Sequence, residues 1–347
     1  SDGCDLPIQE NKKQSSKLLA EHTSLEQQAA LFIRQGKYRE AEAIYREIIA
    51  AGTNNHVVYG NLAAICGTQG RFDELIGLLN KALALNPNSP EAHNNLGNAL
   101  QKHGDLSAAI SSYKKSLELN SKDPDVHYNL ANALQGHGDL SAAIASYNKA
   151  LALNPSYPGA HNNLANALKA QGDLAAAVAS CNKALDLRPN FAEVHNNLGN
   201  ALERQGELDA AIASYGKALQ LKPDYPAAQL NLSMTELLTG DYKSGWERYE
   251  YRFRDESGHG VLNAHPQCSR WNGSDIKASG DLLLVGEQGL GDTLQFMRYA
   301  LALKRQGVQV SLCAPQRLHR LIRASGIDPA PLTSEQANAL TEGCWIP

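Results

Sequence analysis

Residues 93–100 read HNNLGNAL, and nearly the same octet returns as HYNLANAL at 127, HNNLANAL at 161 and HNNLGNAL at 195. The step is 34 residues each time. A fixed period of that size marks one supersecondary unit copied along an axis, because a single unit cannot bury its own apolar face and needs a neighbour to cover it. In one register, seven units run 22–55, 56–89, 90–123, 124–157, 158–191, 192–225 and 226–259. Each is expected to be helix, turn, helix. Glycine recurs at the turn as Gly36, Gly70, Gly104, Gly138, Gly172, Gly206 and Gly240, as a left-handed cap requires. Pro87, Pro155, Pro189 and Pro223 fall where the second helix must stop.

Helices approach closely only where side chains are small. Gly97, Ala131, Ala165 and Gly199 on the first helix are therefore expected to face Ala109, Ala143, Ala177 and Ala211 on the second. Tyr113, Tyr147, Tyr215 and Tyr249 share one position on the second helix, where a ring can fill the space between units. Cys181 stands there instead in one unit and reads as a small core residue. This pattern resembles the tetratricopeptide repeat. The resemblance implies a mostly α fold, a right-handed α-solenoid of about seven repeats over residues 22–259, which by itself specifies an interaction surface and no partner. Residues 1–21 are polar and aperiodic and read as a flexible lead-in. The first two units depart from the octet in the manner of an end cap.

The 347 residues carry 43% hydrophobic and 20% charged side chains, the balance of a globular protein with more than one domain. A net charge of -4 argues against nucleic acid, and no apolar run approaches the ~20 residues that span a bilayer. The six cysteines include no Cys-x-x-Cys pair, which favours reduced thiols and a cytoplasmic setting. The chain does not begin with Met, so removal of a leader stays open.

Two asparagines recur in each octet. Asn95 and Asn98 are expected opposite the core positions of their helix. Asn129, Asn163 and Asn197 repeat Asn95, and Asn61 and Asn231 extend that row. Asparagine is a mediocre helix former, so its repetition needs a reason. One reason is peptide binding, since each amide offers a donor and an acceptor to an extended backbone. The other is a solvated polar face copied by duplication. The row resembles the asparagine ladder of the O-linked N-acetylglucosamine transferase family, which implies a polypeptide partner held on the concave face. Self-association stays open. His93, His127, His161 and His195 stand one unit apart with no i, i+4 pair, so they read as packed or capping residues, not as metal ligands.

Beyond the array the pattern changes. GDYKSGWERYEYRF, with Trp246, Tyr249, Tyr251 and Phe253, reads as aromatic glue ending the solenoid, and residues 260–280 as a linker. From 281, DLLLV, GEQGLGD and TLQFMRYALALKRQG give strand, glycine loop and helix. A second strand follows at about 308–313, a helix from Pro315 and a possible third strand at CWIP. Gly286, Gly289 and Gly291 form neither a dinucleotide fingerprint nor a P-loop. Asp292 opens the helix, where it suits a cap and repels phosphate. WERYEYRF, PQCSRWNG and LLLVGEQGLGDTLQFMRYA together resemble bacterial tetratricopeptide proteins that carry a heptosyltransferase-like glycosyltransferase domain of two Rossmann-like halves. That resemblance implies Asp292 as general base on an acceptor hydroxyl, beside Gly291. It implies that residues 281–347 begin such a domain, and that a nucleotide sugar serves a longer, full-length enzyme. No cofactor is expected in this chain, which alone is expected to be inactive. The alternative is a non-catalytic scaffold for protein–protein interaction.

Overall fold

The structure is a computed structural model that describes residues 21–249, 251, 264–271, 281–286 and 290–346. The chain divides into two compact units, residues 1–223 and 224–347.

In the first unit, helix α1 covers residues 21–34. It is followed by α2 (Tyr38–Ala50), α3 (His56–Thr68), α4 (Phe72–Leu85), α5 (Pro90–His103), α6 (Leu106–Leu119), α7 (Pro124–His137), α8 (Leu140–Leu153), α9 (Pro158–Gln171), α10 (Leu174–Leu187), α11 (Ala192–Gln205) and α12 (Leu208–Leu221). They pair as the period requires: α5 packs on α6, α7 on α8, α9 on α10 and α11 on α12. Each of α5, α7 and α9 also meets the first helix of the next pair.

Each turn between paired helices works by the same chemistry. Gly104 adopts φ +93°, which a side chain would resist, and this lets the Asp105 N–H reach back to Leu100 O at 2.9 Å. The Asp105 carboxylate then accepts from Ala108 N at 3.0 Å, capping α6. Asp139 and Asp173 cap α8 and α10 alike. Glu207 replaces the aspartate before α12 and makes no such bond.

The core adds to the expectation about packing. The small residue on the first helix also makes room for the tyrosine. A Cβ on Gly97 would lie 2.5 Å from the Tyr113 ring, and one on Gly199 2.5 Å from the Tyr215 ring. Tyr113, Tyr147 and Tyr215 are all fully buried, and Cys181 is buried in the same register.

The histidines are likewise not core residues throughout. His127 is buried, but His93, His161 and His195 are only half-buried. In every case Nε2 bonds to the backbone carbonyl six residues earlier, at Pro87 (3.0 Å), Ser121 (3.0 Å), Pro155 (3.1 Å) and Pro189 (3.0 Å). The ring thus ties the inter-unit turn to the helix that follows, and fixes which nitrogen carries the proton.

The second unit opens with α13 (Pro226–Thr239) and α14 (Tyr242–Tyr249). Arg248 on α14 reaches the buried Glu236 (3.1 Å) and Gln229 (3.2 Å) on α13. Trp246 is 57% exposed and meets the edge of Tyr249 at 5.5 Å, whereas Phe253 lies outside the described residues. Then come β1 (Ser269–Arg270), β2 (Leu282–Val285), α15 (Leu290–Arg305), β3 (Val310–Cys313), α16 (His319–Ala324), α17 (Ser334–Asn338) and β4 (Cys344–Ile346). The strands form one parallel sheet in the order β1-β4-β2-β3.

Three expectations change here. The stretch read as linker contains an edge strand, β1. The second strand starts at Val310, not 308. The helix expected from Pro315 begins instead as a 3-10 turn, Gln316–Leu318, in which the Leu318 N–H donates to Pro315 O at 2.8 Å. The sheet packs Leu282, Val310 and Leu312 against Met297, Ala300 and Ile322. Gly343, at φ +83°, enters β4 so close to Asp281 that a Cβ would lie 2.6 Å from its carbonyl oxygen.

Candidate functional site

The row of Asn61, Asn95, Asn129, Asn163 and Asn197 lies on the first helices of successive units, half-buried except for the exposed Asn95. Most of these amides are already engaged. Asn129 Nδ2 donates to Asn94 Oδ1 (3.2 Å), and Asn197 Nδ2 donates to Asn162 Oδ1 (2.9 Å). Asn163 Nδ2 donates to both Tyr128 Oη and Asn132 Oδ1 at 2.9 Å. Asn61 Nδ2 donates to Tyr45 Oη at 3.2 Å. Each bond reaches back into the preceding unit. The repetition of asparagine therefore has a structural cause in addition to either reading above: the amide nitrogen stitches neighbouring units together. Asn231, in the second compact unit, is half-buried on α13.

The second asparagine of the octet was expected opposite the core and instead meets it. The buried Tyr113 hydroxyl lies 2.8 Å from Asn98 Oδ1, Tyr147 lies 2.6 Å from Asn132 Oδ1, and Tyr215 lies 2.7 Å from Asn200 Oδ1. The same hydroxyls contact Gln101 (2.9 Å), Gln135 (2.9 Å) and Glu203 (2.7 Å) one turn on. Burial raises all three phenols well above their usual range, so they are neutral donors at any physiological pH.

The unit with Cys181 breaks this series, because Lys169 takes the place of the glutamine. Burial lowers the Lys169 ammonium and pushes the Cys181 thiol up to about 11, so Cys181 is an unreactive core thiol as expected. Cys66, Cys268, Cys313 and Cys344 are also free and buried. Among the described residues no group of His, Cys, Asp or Glu is arranged to hold a metal, and no helix is long and apolar enough to cross a membrane.

Sequence reasoning missed an aromatic pair beside the row. Tyr128 takes the place of Asn94 in its unit. Its ring centroid lies 4.9 Å from that of Tyr157, which precedes α9, with planes at 34°. Burial, then the nearby Asp125 carboxylate and Tyr128, push the Tyr157 hydroxyl up to about 12. Tyr128 was visible only as the one interruption of HNNL by HYNL.

In the α/β unit, Gly286 ends β2, its N–H donating to Cys313 O at 2.8 Å. Gly291 and Asp292 lie in the first turn of α15. Gly289 and the side chain of Asp292 lie outside the described residues.

Family models described as "TPR repeat" match residues 68–104, 102–138, 137–172 and 165–206, and one described as "Tetratricopeptide repeat" matches 192–225. Among solved structures, the C-terminal part of a TPR repeat-containing protein from Cytophaga hutchinsonii is 16% identical. It covers 67% of this chain and 97% of its own, with a TM-score of 0.57. PilF of Pseudomonas aeruginosa is 21% identical over 58% of this chain and 90% of its own, with a TM-score of 0.50. A MamA protein is 26% identical over 55% of this chain and 96% of its own, with a TM-score of 0.46. No curated protein matches the chain. The octets, the glycine turns, the buried tyrosines and the matched family models agree, and across residues 68–225 the chain is an array of tetratricopeptide repeats.

Proposed function

We propose that the array is a protein-interaction scaffold that holds an extended polypeptide along Asn61, Asn95, Asn129, Asn163 and Asn197. The observation that carries this reading is the opposed orientation of two amide rows. Asn129, Asn163 and Asn197 turn their nitrogens into the array, so their carbonyl oxygens are the groups turned toward a ligand, although Asn163 Oδ1 also accepts from Asn162 Nδ2 at 3.3 Å. The oxygens of Asn98, Asn132 and Asn200 face a tyrosine hydroxyl, whose single proton they share with Gln101, Gln135 and Glu203, so the N–H2 ends of this row are the ones turned away from the tyrosines. An extended backbone needs both. Because internal bonds already hold these amides, a peptide does not have to order them, and that entropy cost is avoided.

The test is binding of a short, uncharged, fluorescently labelled Gly/Ser/Thr peptide, read by anisotropy. Replacing Asn95, Asn129, Asn163 and Asn197 together by alanine should weaken it by a factor of tens, at about 0.5–1.5 kcal/mol per lost hydrogen bond. Unchanged affinity in a folded quadruple variant would sink the reading.

A second reading makes residues 281–347 the start of a glycosyltransferase half. Its support is the strand order. β3 and β4 lie on opposite sides of β2, so the carboxyl end of β2 lies between two parallel neighbours, and the carboxyl ends of such strands are where α/β folds bind ligands. In that reading Asp292 is the base, Gly286, Gly289 and Gly291 shape the loop, and a longer form supplies the nucleotide-sugar site. Asp292→Asn should then lower turnover of such a form by roughly 10²-fold or more. Comparable turnover would leave Asp292 as a helix cap.

A further inference from the structure

Within the array only one octet carries an aromatic residue at the place of Asn94, and three neighbours give it a distinct chemistry. The Tyr128 hydroxyl accepts from Asn163 Nδ2 at 2.9 Å, so the ring is anchored to the amide row itself. Tyr157 lies against it at 4.9 Å. Gly159 stands where the other octet units carry Glu91, Asp125 and Glu193. A Cβ there would lie 3.7 Å from the Tyr157 ring and 3.8 Å from the Tyr128 hydroxyl, so glycine leaves this side of both rings uncovered.

The chain itself shows what such a ring attracts. One unit later the corresponding aromatic is Phe191, and the Arg188 guanidinium carbon lies 4.6 Å from its ring centroid. Three residues before Tyr157 the matching position is Asn154, and among the described residues no cation covers Tyr157. The exposed Asp125 carboxylate beside the Tyr157 hydroxyl adds the counter-charge that Phe191 lacks.

We propose that Tyr128, Tyr157 and Asp125 form a seat for a cationic side chain, arginine or lysine, of the polypeptide held by the amide rows. This rests on the peptide-binding reading and adds a sequence preference to it. A ring face beside a carboxylate selects a cation, since only a cation is attracted by both, whereas a proline or neutral aromatic residue gains from the rings alone. The planar guanidinium fits best, because it can stack on a ring while its edge meets the carboxylate.

The test uses the full chain and two labelled peptides identical except for a central arginine or its neutral isostere citrulline, at low salt. The arginine peptide should bind about tenfold tighter. Asp125→Asn and Tyr157→Leu should each bring the two affinities together. Equal affinities in the wild type, no binding of the arginine peptide, or a preference that survives both substitutions would overturn the seat. The quadruple asparagine variant separates the two readings. If it weakens both peptides while the wild type shows no arginine preference, the amide row stands and the seat falls. If it leaves both affinities unchanged while the preference persists, the row falls and the seat stands.

Discussion

The break at Cys181 offers a repair experiment whose outcome can be worked out from the neighbouring unit. There, Tyr147 is fully buried beside Ala131 and Gln135, and Ala165 matches Ala131 in the broken unit. Changing Lys169→Gln and Cys181→Tyr together should rebuild that arrangement. A buried tyrosine covers about 100 Å² more than a cysteine, roughly 2.5 kcal/mol, and its hydroxyl bonds contribute about 1 kcal/mol. Ordering the ring and imperfect fit offset roughly half, so the double variant should gain about 1–2 kcal/mol. Cys181→Tyr alone should gain nothing, since the half-buried Lys169 near Cys181 would compete with the new ring for space and overpacking costs roughly 1–3 kcal/mol. Lys169→Gln alone should lose about 1 kcal/mol of stem packing. Urea unfolding of the four proteins forms a double-mutant cycle with a coupling near 2 kcal/mol. Additive single effects, or a double variant no more stable than wild type, would show that lysine and tyrosine do not compete for one space.

Other outcomes follow from single contacts. Glu207→Asp should supply the side-chain cap that α12 lacks and raise stability by about 0.5–1 kcal/mol in urea, whereas Asp173→Ala should lower it by a similar amount. Gly343→Ala should cost roughly 2 kcal/mol or more, since φ +83° and the Asp281 carbonyl at 2.6 Å both oppose a side chain. A near-neutral effect in thermal unfolding would mean that the entry to β4 is placed wrongly. The buried Tyr113, Tyr147 and Tyr215 have folded pKa values raised above the unfolded value near 10, so their stabilisation is complete below pH 10 and lost as pH rises beyond it. The slope should be about 1.4 kcal/mol per pH unit for each phenol, and it should flatten in Tyr→Phe variants. Cys181 should react with a thiol reagent only after unfolding, with fast labelling of the native protein as the contrary result.

The repeat was legible because its chemistry is local. Gly104 and Asp105 make their turn with residues a few positions away, and an octet repeated at fixed spacing exposes the unit without any knowledge of packing. What escaped was long-range. That Gly97 also makes room for Tyr113 depends on how two helices rotate against each other, which a small residue at each position leaves undecided. The asparagine row was visible, but most of its bonds run between residues 31 or 35 apart, such as Asn197 to Asn162, so periodicity could not reveal that it joins units. In the α/β unit, the two-residue β1 is too short for any alternation to mark, and Gly343 is one glycine among 28 until its contact with Asp281 is seen.

The central claim is that the amide rows are where a polypeptide lies, and side-chain amide resonances test it most directly. With the chain labelled with ¹⁵N only in asparagine, an uncharged extended peptide should shift the Nδ2 signals of Asn98, Asn132 and Asn200, whose oxygens face the tyrosine hydroxyls. It should perturb Asn129, Asn163 and Asn197 beside them, while Asn120 and Asn154, at the ends of second helices, stay still. Shifts confined to asparagines outside the two rows, at peptide concentrations where binding is measured, would contradict the account.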